Sequence, residues 1–313
     1  MSFSQRVKEE IAKIIPETRH CALAELAAIF TSSGFFYPAE GRTVTGIRTE
    51  NVLVAKTGFS LIKKLFGEAA RVSVRDKTQI HKGHSYTIQL EDEKTVQNLF
   101  RALKLEEAVA RMDLTVRTAD RNLLQSECCR KSFLRGVFLS AGSMGDPEKL
   151  YHLEIVAESE AFASEILEVM SSLGLNAKTV ERKGRFVVYL KEGNQIVDFL
   201  GLIQANVSLL NFENTRVMKD VRNHVNRSVN CETANLGKTV AAGLHELHDI
   251  EKIDRLFGLD ALPAPLREAC YARLKYPDIS LKELGERLDP PVGKSGVNHR
   301  MRKIHEIAEE ERL

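Results

Sequence analysis

The chain has 313 residues, 43% hydrophobic and 28% charged, which is the balance of a globular protein and excludes a disordered or fibrous one. That length accommodates two or three domains, each with its own core. Its 45 basic residues against 43 acidic ones leave a formal net charge of +2, so any nucleic-acid contact has to come from a local basic face, not from bulk charge.

The opening MSFSQRVKEEIAKI is charged and amphipathic, without the apolar stretch of a signal peptide. No run approaches the roughly 18 to 20 apolar residues of a membrane span, so the expectation is a cytoplasmic, nucleoid-associated protein without membrane contact. The five cysteines, Cys21, Cys128, Cys129, Cys231 and Cys270, form no C-x-x-C. They read as reduced, mostly buried thiols, and neither a metal site nor a cofactor is expected.

Two nonamers dominate the first two thirds of the chain: LAAIFTSSG from Leu26 to Gly34 and LRGVFLSAG from Leu134 to Gly142, 108 residues apart. Each is an apolar helical stripe running through small residues into glycine. Each is followed by strands ending at Glu50 or Glu158, then by an amphipathic helix that Gly67 or Gly174 is placed to stop. A hairpin follows in both copies, RVSVRDK with HSYTIQL and AKTVER with RFVVYL, the second turning tightly at Lys183-Gly184. A closing helix completes each unit, so the chain carries an internal repeat of one αββαββα-like unit.

The nonamers are similar, position for position, to the LAGLIDADG helix of homing endonucleases. That resemblance implies two such helices packed on a pseudo-twofold axis, with Ala27, Ala28 and Gly136 permitting close approach. A curved sheet from each half would form a DNA-straddling saddle. In that family the eighth letter is an acid that holds divalent cations for phosphodiester hydrolysis, because hard cations need carboxylate oxygens. Here those places are Ser33 and Ala141, so the resemblance implies a degenerate site without cleavage chemistry. Asp146 and Glu148, just beyond the second nonamer, read as a turn before Pro147.

The strands carry Arg42, Arg48, Arg71, Arg75 and Lys77 in the first half, and Lys178, Arg182, Lys183 and Arg185 in the second. Glu50, Asp76, Glu154, Glu158 and Glu181 are interleaved with them. Partial cancellation predicts a weak, sequence-independent contribution to DNA binding.

From Arg216 a basic segment with Arg216, Lys219, Arg222 and Arg227 supplies secondary DNA contacts. It leads into a connecting helix whose apolar stripe is Val240, Leu244, Leu247 and Ile250. His245 and His248 read as solvent-side or interface histidines, since no third ligand is visible. The remainder reads as a helix-turn-helix. Pro263 and Pro265 mark a helix start with the stripe Leu266, Cys270 and Leu274. Ser280 and Glu283 make a capping box, Leu281, Leu284 and Leu288 face the core, and Gly285 allows the next helix to cross closely. Ser295 is the expected cap of the last helix, which buries Val297, Met301, Ile304 and Ala308. Its exposed side offers Lys294, Ser295, Asn298, His299, Arg302 and Lys303, with Arg300 at the edge, and no acid lies between Lys294 and Lys303. Such a helix reads bases in the major groove and sets cations on phosphates.

The order of parts resembles the WhiA family of bacterial regulators over essentially the whole chain. The strings CCRKSFLRGVFLSAGS, YHLEI, VNRSVNCETAN and SLKELGERLDPPVGKSGVNHRMRKI carry the resemblance. It implies a degenerate LAGLIDADG domain fused to a helix-turn-helix like region 4 of a sigma factor. The roles it implies are cell division, chromosome segregation, transcription control and, in actinobacterial relatives, sporulation. The expected fold class is therefore α+β, a duplicated saddle domain followed by an all-α domain. Expected boundaries are 1–105, 106–215, 216–258 and 259–313, with the helix-turn-helix motif at about 279–312. The expected function is non-enzymatic, sequence-specific binding of double-stranded DNA, with a sigma factor or other transcription protein as a further partner. The alternatives are a metal-dependent nuclease with relocated acids and a protein-docking adaptor.

Overall fold

The computed structural model describes residues 1–39, 42–67, 70–76, 83–106, 109 and 118–310. The chain divides into two compact units, Met1–Lys219 and Asp220–Leu313. The first opens with α1 (Phe3–Ile11) and then runs α2 (Arg19–Ser33), β1 (Gly34–Ala39), β2 (Arg42–Thr49), α3 (Val52–Phe66), β3 (Ala70–Asp76), β4 (His84–Leu90) and α4 (Glu93–Leu103). The order repeats as α5 (Glu127–Ala141), β5 (Gly142–Met144), β6 (Leu153–Ala157), α6 (Glu160–Ser172), β7 (Lys178–Arg182), β8 (Arg185–Leu190) and α7 (Gly193–Leu202). The sheets are antiparallel and match, ordered β1-β2-β4-β3 and β5-β6-β8-β7. The duplicated αββαββα unit expected from the nonamers is therefore present.

Local signals placed several boundaries. Asn51, Asp92 and Ser159 cap α3, α4 and α6 by accepting from backbone N–H groups. Gly67 caps α3 at φ 85° and Gly174 lies just past the α6 cap at φ 82°, a left-handed bend that glycine takes without a Cβ penalty. Lys183 and Gly184 both have positive φ, as a two-residue hairpin turn requires. The connection 77–82 of the first hairpin, with Lys77, lies outside the described residues.

Both nonamer helices are buried almost all round: every residue of α2 from Ala24 to Phe30, and of α5 from Ser132 to Leu139. A helix without a polar face has to be central to its fold. The small residues permit the contact. A Cβ on Gly136 would lie 2.6 Å from the Glu25 carbonyl oxygen and 2.9 Å from the Ala28 Cβ. Across the same junction runs an ion pair invisible in the apolar pattern. Arg135 donates to Glu25 Oε2 from Nε at 3.0 Å and Nη2 at 2.7 Å, and from Nη1 to Gln204 at 2.9 Å. Burial pushes the Glu25 carboxyl above its ordinary range, against the pull of Arg135.

One helix, α8 (Asn206–Phe257), takes the place of the expected basic stretch and separate connecting helix. Its part up to Lys219 belongs to the first unit. The second unit adds α9 (Ala264–Lys275), α10 (Leu281–Glu286) and α11 (Lys294–Glu310) around a core that includes Ile250, Ile253, Leu266, Cys270, Leu284, Val297 and Ile304. Three expectations need correction here. Val240 and Leu244 are exposed and Leu247 is half-buried, because α8 meets this core only near Gly243 and beyond. Leu274 is also exposed. Arg273 takes the buried place on α9 and holds the following turn. Ser295 lies inside α11, whose first turn closes on the Gly293 carbonyl, accepting from Gly296 and Val297.

Candidate nucleic-acid interface

The C-terminal ends of α2 and α5 bring the eighth nonamer positions to the bottom of the helix pair. Ser33 and Ala141 stand there, half-buried, a hydroxyl and a methyl group. Asp146 is exposed and its Oδ1 accepts from the Glu148 N–H at 3.0 Å, capping its own turn as the Asp-Pro step suggested. Among the described residues, neither Asp146 nor Glu148 joins a group of three metal-competent side chains.

Register decides which strand residues share the open sheet face. In the first sheet Arg71, Ser73 and Arg75 pair with Gln89, Thr87 and Ser85, and Thr87 pairs with Arg48. Ile88 and Leu90, one step out of phase, are buried against the helices. The open face thus carries Arg48, Arg71 and Arg75. Arg48 lies 4.8 Å over the Phe35 ring, while Arg71 is 3.3 Å from Glu91. The second sheet differs. Val156 and Val180, both paired with Val187, form an apolar centre. Glu154 on that face binds His152 and Ser143, and Arg185 pairs with Glu158.

In the second unit the helix-turn-helix is built from α10 and α11. Ser280 and Glu283 complete the capping box, each accepting from the other's backbone. Gly285 is where the chain returns over α10: a Cβ there would collide with the Val292 carbonyl oxygen, and the Val292 N–H donates to the Gly285 carbonyl at 2.9 Å. Val297, Met301, Ile304 and Ala308 are buried as expected. Lys294, Ser295, Asn298, His299, Arg302 and Lys303 are all exposed on the N-terminal half of α11. Glu306, Glu309 and Glu310 follow on the C-terminal half, so charge is segregated along the helix. The positive end of the helix dipole coincides with the basic half.

Arg300 has another place. Its Nη1 donates to the Pro265 carbonyl at 3.1 Å and lies 3.8 Å from Glu268, tying α11 to α9. Of the four basic residues expected to make secondary DNA contacts, Arg216 pairs with Glu213 at 2.9 Å and donates to Asn194, and Lys219 donates to the Pro147 carbonyl over the Tyr151 ring. Arg222 and Arg227 are exposed.

Two groupings had no signal in the apolar pattern. Arg273 is almost fully buried: its Nε lies 2.8 Å from Glu246, and Nη1 donates to the carbonyls of Tyr276, Pro277 and Ile279. Burial raises the Glu246 carboxyl while Arg273 lowers it. The structure also gathers Cys21, Cys128 and Cys129 around His20. C-x-x-C spacing, the usual signal, is absent.

A duplicated αββαββα domain with two central nonamer helices, joined to an all-α unit, defines a LAGLIDADG-like protein with a helix-turn-helix domain. Family models agree: the WhiA N-terminal LAGLIDADG-like domain matches residues 19–106, the WhiA LAGLIDADG-like domain 130–222, and the WhiA C-terminal HTH domain 225–308. This chain belongs to the WhiA family. It is 44% identical to the "Probable cell division protein WhiA" of Clostridium novyi, over 99% of this chain and 98% of that one. The protein of the same name from Desulforamulus reducens is also 44% identical, over 99% and 96%. The crystal structure of full-length DUF199/WhiA from Thermatoga maritima matches with a TM-score of 0.60 and 25% identity, over 99% of both chains. Among the described residues no helix is long and apolar enough to cross a membrane.

Proposed function

We propose that this protein is a sequence-specific double-stranded DNA-binding regulator of bacterial cell division, acting on transcription and chromosome segregation, and not an enzyme. The observation that carries the reading is the exposed, acid-free face of α11 from Lys294 to Lys303 on a helix-turn-helix frame. Asn298 and Arg302 are the base readers by type, since amide groups pair with adenine and guanidinium groups with guanine. Lys294, His299 and Lys303 set the register on phosphates. Arg300 supports the frame, and of Arg216, Lys219, Arg222 and Arg227 the last two are left to reach DNA.

The LAGLIDADG-like unit adds weak, sequence-independent affinity through Arg48, Arg71 and Arg75, offset by Glu91, Glu154 and Glu158. Ser33 and Ala141 supply no carboxylate, so no divalent cation is held where the phosphodiester would be cut. The test is selection of fragments from a bacterial genome by the full chain at physiological salt, followed by footprinting. Recovery of a shared motif protected by the chain supports the reading; fragments without any shared motif overturn it.

A further inference from the structure

The nonamers are not the only matched positions of the repeat. His20 and Cys21 lie in the first turn of α2, and Cys128 and Cys129 in the first turn of α5. His20 corresponds to Cys128 and Cys21 to Cys129, each pair separated by the same 108 residues as the nonamers. The pseudo-twofold relation that packs the helices therefore places four donor side chains at the start of the pair, two from each half.

Their spacing is close enough for one ion to be shared. His20 Nδ1 lies 3.1 Å from Cys129 Sγ, 3.4 Å from Cys21 Sγ and 4.0 Å from Cys128 Sγ. All four donor atoms fall within 4.8 Å of one another. With Zn–S near 2.3 Å and Zn–N near 2.0 Å, a tetrahedral zinc site has sulfur–sulfur edges of about 3.8 Å and nitrogen–sulfur edges of about 3.6 Å. The three nitrogen–sulfur distances bracket that edge. Cys21 and Cys129 form a buried floor, while His20 and Cys128 form an exposed rim that leaves an entry path.

We propose that His20, Cys21, Cys128 and Cys129 form a Cys3His zinc site that staples the two LAGLIDADG-like halves together. Three thiolates and one neutral imidazole suit zinc far better than magnesium, which requires oxygen donors. Each thiol gives its proton to solvent on binding and no electrons are transferred. His20 offers the Nδ1 lone pair and keeps its proton on Nε2. The site is not a relic of the endonuclease's carboxylate centre. Cys21 and Ser33 lie at opposite ends of one helix, about 18 Å apart at about 1.5 Å per residue.

The test is metal content of the full chain, purified reduced, equilibrated with Zn2+ and desalted against a weak chelator. About one zinc per chain is expected, with tetrahedral thiolate-to-metal bands when Co2+ replaces it. Cys128→Ser and His20→Ala change exposed rim residues, so folding is expected to survive; circular dichroism checks it. Each should weaken zinc binding roughly tenfold or more. Cys231→Ser, elsewhere on α8, should retain zinc in full. Loss of zinc from the reduced wild-type chain, or undiminished zinc binding in folded Cys128→Ser and His20→Ala, overturns the proposal. So does a Co2+ complex without thiolate bands.

Discussion

Glu10 caps a helix that begins almost two hundred residues later. Its Oε1 accepts from the Val207 N–H at 2.7 Å, and its Oε2 accepts from the Ser208 N–H at 2.9 Å and the Ser208 hydroxyl at 2.7 Å. The Phe3 and Phe212 rings pack 6.0 Å apart beside it. A carboxylate here satisfies N–H groups that the first turn of α8 leaves open and opposes the helix dipole. Glu10→Ala should therefore cost about 1 to 2 kcal/mol in the unfolding of the first unit. Thermal or denaturant unfolding of the full chain measures it. An unchanged transition would mean that water replaces the carboxylate without loss.

Arg273 makes a stronger demand. With three carbonyls and Glu246 around it, Arg273→Met removes the positive charge but leaves the carboxylate and the turn carbonyls half-desolvated. The expected loss is about 3 kcal/mol or more, seen as unfolding of the second unit well below the wild-type midpoint. Arg273→Lys should rescue little, since an ammonium group lacks the planar fork that reaches several acceptors. Full rescue by lysine would reduce the role of this residue to charge.

The His305–Asp249 pair, 2.9 Å apart, joins α11 to α8 within the second unit. The Asp249 carboxylate, by hydrogen bond and charge, holds the His305 imidazole above its ordinary value of 6.5. A raised histidine stabilises fully below the unfolded value, and that contribution is lost as pH rises through the folded one. The second unit should lose stability as pH rises above the ordinary histidine value and through the raised one, and His305→Gln should flatten that slope. An identical pH profile in the variant would contradict this assignment.

Supercoiled plasmid incubated with the full chain and Mg2+ should show no nicking above background, because the eighth nonamer positions hold Ser33 and Ala141. Chelator-sensitive cleavage abolished by Asp146→Asn would overturn that expectation.

What could be read from the sequence was whatever rests on local pattern. The nonamers, the Lys183-Gly184 turn, the Ser280–Glu283 box and the buried side of α11 follow from periodicity and turn chemistry, which need only neighbours in the chain. Gly285 was legible for the same reason. The misses are long-range. Val240 and Leu244 have helical spacing yet stay exposed, because spacing states a face and not what covers it. Arg273 displaces Leu274 from the core only because the turn after α9 presents its carbonyls there. Two-residue pairs such as His20-Cys21 and Cys128-Cys129 carry no zinc spacing singly; reading them at the repeat offset was the signal available. Arg216, Lys219 and Arg300 count as cations in sequence, but their partners Glu213, Pro147 and Pro265 appear only in the fold.

Base reading by α11 is tested by comparing two single variants of the full chain on a selected site and on random DNA. Lys303→Ala should weaken binding to both alike and lower the slope of log affinity against log salt by about one. Asn298→Ala should cost roughly 1 to 3 kcal/mol on the selected site and nothing on random DNA. Equal losses on both DNAs for both variants would mean that α11 does not read bases and would assign sequence reading to another part of the molecule.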